Sequence, residues 1–423
     1  MEKKKVILIG CGFRGKKYIY TMKERCDDYF EVVAIADPND RRREYVRKTH
    51  GLPENMAFKT AEELLSLGKI ADVAIIATMD RDHFGPAMKA IELGYNLLLE
   101  KPVAPTPEEC RKIQRAAEEK GVFVLVCHVL RFAKFYLCLK DVIDSGVIGK
   151  IMSVEHIEAV ETTHNSHSFI RGKWSNSERS TPMILQKTCH DFDLIAWLTG
   201  EKCTKVQSFG YRSYFRPENA PEGAPERCIE GCPHADKCEY NAMKIYYKDK
   251  EWMGAVATQI YEPTDDEVTH AMWNTNYGKC IFKCDNDVVD HQTVNLVYGN
   301  DITVAFTMCS FTKGGRVTRI MGTKGEIYAR MMDNSIEIYD FLTKETKYYD
   351  YEGSRVCENV IDSHGGGDTG IVFALRDLIE GNYNKSVATI KESCDNHMIS
   401  FAAEESRLTG KVIDMAEFEK RFE

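Results

Sequence analysis

The 423-residue sequence predicts an α/β protein, with a doubly wound parallel sheet at its N-terminus and a largely antiparallel sheet behind it. Three observations carry that expectation. Up to about residue 130, short apolar runs alternate with longer charged segments of helical spacing. A Gly-x-Gly-x-x-Gly turn follows the first of those runs directly. From residue 287 onward, strand-like segments follow one another with only turns between them, which requires antiparallel pairing.

The apolar runs lie at 6–9, 32–36, 73–76, 96–99 and 122–126, with helical segments such as 86–93 and 107–119 between them. Apolar on both faces and separated by helices, such strands form a sheet covered on both sides. The pattern changes near residue 132, which divides the chain into a first domain, 1–132, and a second, 133–423. The second part opens with a helix at 136–145, a strand at 151–162 and a helix at 183–198. Strands at 293–298, 302–311 and 336–341 follow, with a turn at Gly299-Asn300-Asp301, and helices at 369–379 and 393–408 close the chain. Residues 214–250, with Pro217, Pro221, Pro225, Pro233 and three cysteines, read as a loop-rich insertion.

Hydrophobic residues at 43% and charged residues at 29% describe an ordinary globular chain. A net charge of -9 argues against nucleic acid or an anionic membrane as partner. No apolar run approaches the roughly 18 residues of a membrane span. The apolar stretch behind the basic Met1–Lys5 start is too short for a signal peptide, so a cytoplasmic protein is expected.

In the turn Gly10-Cys11-Gly12-Phe13-Arg14-Gly15, the glycines allow a pyrophosphate to approach the backbone at a helix N-terminus. Asp37 closes the second strand, where a carboxylate accepts both ribose hydroxyls and repels a 2′-phosphate, which favours NAD over NADP. Arg41, Arg42 and Arg43 pull the other way, since one of them could fold back onto a phosphate.

Glu100-Lys101-Pro102 follows an apolar strand, and His190-Asp191-Phe192-Asp193 lies on the 183–198 helix. With the glycine turn, Asp37 and the segment Gly322 to Glu326, these residues resemble the glucose–fructose oxidoreductase and inositol dehydrogenase (Gfo/Idh/MocA) family. The resemblance implies a Rossmann domain, a C-terminal α/β domain with an open, mostly antiparallel sheet, a bound nicotinamide cofactor, and homodimers or homotetramers formed through that sheet. It implies that Lys101 contacts the nicotinamide region and the reacting hydroxyl, that Glu100 holds that lysine, that His190 is the catalytic histidine and that Asp193 is a substrate-side acid. Thr78, Asp80 and His83 then border the cofactor. One position departs from the family: where many of its dehydrogenases pair an aspartate with the histidine, this chain has Gln186, with Lys187 beside it. Glutamine cannot stabilise an imidazolium as a carboxylate does, so the proton route differs.

Hydride loss from a sugar C–H requires the attached hydroxyl to lose its proton, and Lys101 and His190 are the groups suited to take it. On a continuous helix, Gln186, Lys187, His190 and Asp193 share one face. Arg131 and Tyr136, near the domain junction, and His164, His167, Arg171 and Trp174, in a Ser/Asn-rich loop, suit a carbohydrate pocket. His291 beside Asp290 and His364 before a helix are further candidates, with Asp368 read as that helix's N-cap. Cys228, Cys232 and Cys238 suit a structural zinc, with His234 or a distant cysteine as fourth ligand; buried free thiols are the alternative.

The functions that follow are NAD-dependent oxidation of a ring hydroxyl of a sugar, glycoside or cyclitol, or an NAD-dependent glycosidase. The latter oxidises, eliminates, adds water and re-reduces with the same NAD. Intact Lys101 and His190 argue against a catalytically silent binding protein.

Overall fold

The computed structural model describes residues 2–299, 301–349 and 363–423. Asn300, the middle of the expected 299–301 turn, lies outside them. Six parallel strands form the first sheet: β1 (Lys4–Ile9), β2 (Phe30–Ala36), β3 (Ala57–Phe58), β4 (Val73–Ile76), β5 (Asn96–Leu99) and β6 (Val124–Val126). Their order is β3-β2-β1-β4-β5-β6, doubly wound, with the switch point between β1 and β4. Val6 to Leu8 and Val73 to Ile76 are wholly buried, as expected of strands covered on both faces.

The second sheet holds nine strands. They are β7 (Ile151–Glu161), β8 (Cys203–Tyr211), β9 (His291–Tyr298), β10 (Ile302–Thr312), β11 (Gly315–Gly322), β12 (Gly325–Arg330), β13 (Ser335–Asp340), β14 (Thr346–Tyr348) and β15 (Ile413–Asp414). Their order is β14-β13-β12-β11-β7-β10-β9-β8-β15, antiparallel except for the β7–β10 pair. Helices including Cys189–Thr199 and Ile390–Thr409 cover one face. The other face leaves Ile157, Phe209 and Tyr211 exposed.

Two expectations need correction. The 183–198 helix is two helices, Met183–Gln186 and Cys189–Thr199, broken at Lys187–Thr188. And the insertion extends past residue 250 into helices Ala255–Thr258 and Asp265–Asn274, packed with Ala242–Lys248 around Tyr246, Met272 and Tyr277. Their apolar residues are too few and too short in period to stand out in sequence.

Candidate active site

The C-terminal ends of β1, β4 and β5 meet at one edge of the first sheet. Gly10 there has φ +98°, and a Cβ on it would lie 2.4 Å from the Ala77 carbonyl oxygen. A Cβ on Gly15 would strike the Gly10 carbonyl at 2.0 Å, so this glycine lets helix Phe13–Arg25 pack against the turn. Gly12 differs: a Cβ there meets nothing within 4 Å. The open space beside it, at the helix N-terminus, is a cradle of the kind a pyrophosphate needs.

Asp37 turns its carboxylate toward this loop, accepting from Cys11 N at 2.7 Å and Asn39 N at 2.8 Å. Of the three arginines, Arg41 pairs with Glu267, Arg43 with Asp40 and the Asp37 carbonyl, and Arg42 is buried with Nε unpartnered. The insertion reaches this end of the cleft. Tyr261 donates its hydroxyl to the Cys11 carbonyl at 2.7 Å and packs edge-on against Phe13.

At the end of β5, Glu100 accepts from Arg14 at 2.7 Å, from the Tyr18 hydroxyl and from Lys101 N at 3.1 Å. The carboxylate therefore holds Lys101 by its backbone. The Lys101 ammonium instead donates to the Gln186 carbonyl at 2.6 Å. The helix break leaves that carbonyl available: in a continuous helix it would accept from the amide of His190, four residues on, which lies past the break at Lys187–Thr188. Arg14 also bonds Asp368, which is the second residue of helix Gly367–Ile379 and not its cap; the cap is Gly366. Asp368 accepts from His364 as well, at 3.2 Å.

His190 is 8% exposed, and its Nδ1 has no partner. Burial, then the charges of Lys101, His128, Arg316 and His364, push its pKa well below the usual range and keep the ring neutral. Lys187 reaches Glu158 at 3.3 Å. Glu158 also pairs with Arg316 at 2.7 Å, and Arg316 bonds Asp191, which bonds His156 at 2.9 Å.

Several predicted site residues have other work. Asp193 is fully buried, bound by both nitrogens of an Arg131 fork at 2.7 and 2.8 Å and by Asn396 at 2.9 Å, so neither Arg131 nor Asp193 faces a ligand. Tyr136 is wholly buried in the core. His167 lies among Tyr246, Trp252 and Tyr277, and burial followed by the Arg171 charge lowers its pKa to about 4. Arg171 braces the insertion through the Lys279 and Tyr240 carbonyls. Asp80 is held by Trp174 Nε1 at 3.2 Å, Ser180 at 2.7 Å and Thr181 at 3.1 Å. His83 bonds the Pro102 carbonyl at 2.7 Å, and Thr78 donates its hydroxyl to the Asp82 carbonyl at 3.0 Å. His291 pairs with Asp290 at 2.6 Å. Residues with no motif of their own join the site: His128 edge-on to His190, and Glu158 and Arg316 from the second sheet. Glu158 and His156 had left one signal, polar residues at inward positions of an alternating strand.

The zinc expectation is not supported. Among the described residues no three His, Cys, Asp or Glu side chains are grouped to hold a metal ion. Cys228, Cys232, Cys238 and Cys280 line one cavity, but the Arg171 guanidinium enters it and donates to Cys228 Sγ at 3.7 Å. His234 bonds the Glu222 carbonyl instead, and burial raises the thiols of Cys238 and Cys280.

The model of an oxidoreductase family's NAD-binding Rossmann fold matches residues 4–128, and that family's C-terminal α/β domain matches residues 140–367. The chain belongs to the Gfo/Idh/MocA family. It is 23% identical over 390 residues to a Bacillus subtilis protein named YteT, covering 88% of each. It is 29% identical over 223 residues to an inositol 2-dehydrogenase of Arthrobacter sp., covering 61% of that enzyme and 52% of this chain. It is 30% identical over 147 residues to a 2,7-anhydro-N-acetylneuraminate hydratase of Mediterraneibacter gnavus, covering 34% of this chain and 37% of that enzyme. An Agrobacterium radiobacter oxidoreductase crystallised with NAD+, L-tartaric acid and magnesium shares the fold at TM-score 0.69 and 16% identity, over 98% of this chain and 99% of that one. Among the described residues no helix is long and apolar enough to cross a membrane.

Proposed function

We propose that this Gfo/Idh/MocA oxidoreductase uses NAD to oxidise a ring hydroxyl of a sugar, glycoside or cyclitol. The observation that carries the reading is the Lys101 ammonium held on the Gln186 carbonyl near a neutral His190 whose Nδ1 has no partner, with open space over Gly12 after β1. Gly10, Gly12 and Gly15 with Asp37 would hold the dinucleotide, which when bound supplies a hydride acceptor. Asp37 favours NAD because its carboxylate repels a 2′-phosphate. Lys101 donates to the substrate oxygen and stabilises its developing charge, and His190 takes the hydroxyl proton. A ring kept neutral by burial and neighbouring cations is already in its base form. Self-association through the exposed sheet face around Ile157 and Phe209 belongs to the same proposal.

One observation favours the glycosidase as a second reading. With Gln186 in the place of the family's aspartate, no carboxylate pairs with His190 among the described residues, and Lys187, which Glu158 holds at 3.3 Å, is the further proton carrier that elimination and water addition require. A relative named a hydratase is consistent with it. The two readings separate in D₂O with sugars and aryl glycosides. The dehydrogenase accumulates NADH in proportion to product. The glycosidase leaves the NADH absorbance flat and releases a sugar carrying deuterium. We expect NADH; flat absorbance with labelled sugar reverses the order, and neither signal from any substrate removes both.

A further inference from the structure

Resting on the proposed reaction, we infer that its substrate is an acidic sugar, one whose carboxylate sits against Lys187 and His164. The wall of the cleft opposite the glycine turn is built from hydrogen-bond donors and bases. Lys101, Lys187 and His164 are half-buried there, His190 lies deeper, and His364 stands at the rim. They are close enough for their charges to act on one another. Burial first, and then Lys187, His167, Lys101 and His364, hold the His164 ring in its neutral form. The His164 ring makes no hydrogen bond among the described residues; it stacks on the half-exposed Trp252 at a 16° tilt, with Phe169 at its edge.

Among the described residues, the neighbouring acids stand behind these groups. The side chains of Glu158, Asp191 and Asp368 are 4%, 0% and 0% exposed, and each is engaged by an arginine; Glu158 also holds Lys187 at 3.3 Å, so one carboxylate is shared between two cations and leaves a net positive charge. Glu100 is engaged by Arg14 and Tyr18, and Asp80 by Trp174, Ser180 and Thr181. Glu161 spends its carboxylate on the amides of Thr163 and His164, at 2.8 and 2.7 Å. A neutral sugar, whose hydroxyls donate as well as accept, is served by a pocket with carboxylate acceptors in its wall. This wall offers ammonium donors and imidazoles beside an aromatic face. Its complement is a ring with an apolar side for Trp252 and an anionic, acceptor-only group for Lys187 and His164. A hexuronic acid or its glycoside has that form.

The test is calorimetric titration of the NAD-loaded protein with matched pairs: methyl glycosides of D-glucuronate and D-galacturonate against those of D-glucose and D-galactose. We expect at least one acid to bind about tenfold or more tightly than its neutral partner, with the advantage shrinking as added salt screens the charges. His164→Gln should cut the advantage several-fold while NAD affinity is unchanged. Equal binding of acid and neutral members, or no measurable binding of any acid, overturns the inference. Failure of the reaction reads differently: acids that bind but yield neither NADH nor solvent deuterium leave this inference standing and remove the proposed chemistry. Neutral sugars turned over with no acid preference do the reverse.

Discussion

The glycine turn after β1 and the polar stretch from Thr162 to Asp193 both carry residues that the sequence marks for a ligand, yet the structure uses them differently. In the turn, the conformations of Gly10 and Gly15 are demanded by backbone atoms within the strand–turn–helix unit and its neighbour strand, and the space beside Gly12 stays open. In the polar stretch, His167, Arg171 and Asp193 are drawn into packing with residues up to about 200 positions away, whereas His164 and Lys187 stay half-buried and His190 keeps an unpartnered Nδ1. A function written into the backbone can be read from spacing. One carried by side chains depends on which partners the fold brings first.

The sharpest break of that contrast is at Gly12. Gly12→Val should abolish measurable NAD binding by calorimetry while the protein keeps its fold, because the new side chain enters open space. A variant that binds NAD normally would mean that the dinucleotide does not lie over this turn. Next in size is Asp193→Ala. It strips the partner from a fully buried Arg131 and should cost about 3–5 kcal/mol in denaturant unfolding, with a smaller effect on kcat in the folded fraction. A stable variant with no activity would restore Asp193 to the chemistry. His190→Ala should then lower the chemical step about 10²-fold with NAD affinity kept, and unaltered single-turnover rates would place the base elsewhere.

A pH series probes the buried side of the stretch. His167 near 4 and His397 near 3 compare with about 6.5 in the unfolded chain, so below that value the unfolded state binds more protons. Stability is full above pH 6.5 and falls as the pH drops toward 4, by about 1.4 kcal/mol per pH unit for each such histidine. Thermal unfolding from pH 7 to 4 should show this, and His167→Gln should make the slope shallower. The smallest effect concerns the loop beyond β2: NAD should bind more tightly than NADP by calorimetry, and equal affinity would hand the decision to Arg42.

The parallel, helix-covered first sheet was legible because its main strands are largely apolar and separated by helical segments, whereas the short strand Ala57–Phe58 was not foreseen. Lys101 and His190 stood out in the sequence through their motifs, and the structure brings them close enough for the Lys101 charge to act on the His190 ring. What spacing could not show was the break at Lys187–Thr188. Met183 to Leu198 holds no proline or glycine to mark a break; the stop falls at Thr188, whose hydroxyl donates to the Ile184 carbonyl, and Gln186 and Lys187 make tertiary contacts beside it. The same holds for Asp193. On a helix face it looks like an acid offered to a substrate, and only Arg131 and Asn396, from two other elements, show that it is spent. Trp252 and Tyr261 escaped notice because they lie in a helical module with no nucleotide or sugar motif of its own.

Arg14, in the first turn of the first helix, is completed by Asp368, 354 residues further along the chain. A ribosome adding about 5–20 residues per second delivers that aspartate roughly 20–70 s after the arginine. Through that interval the newborn first domain has its sheet and its glycines but not the carboxylate that fixes Arg14, nor the His397 ring that receives the Val103 amide. The part of the molecule synthesised first is finished last.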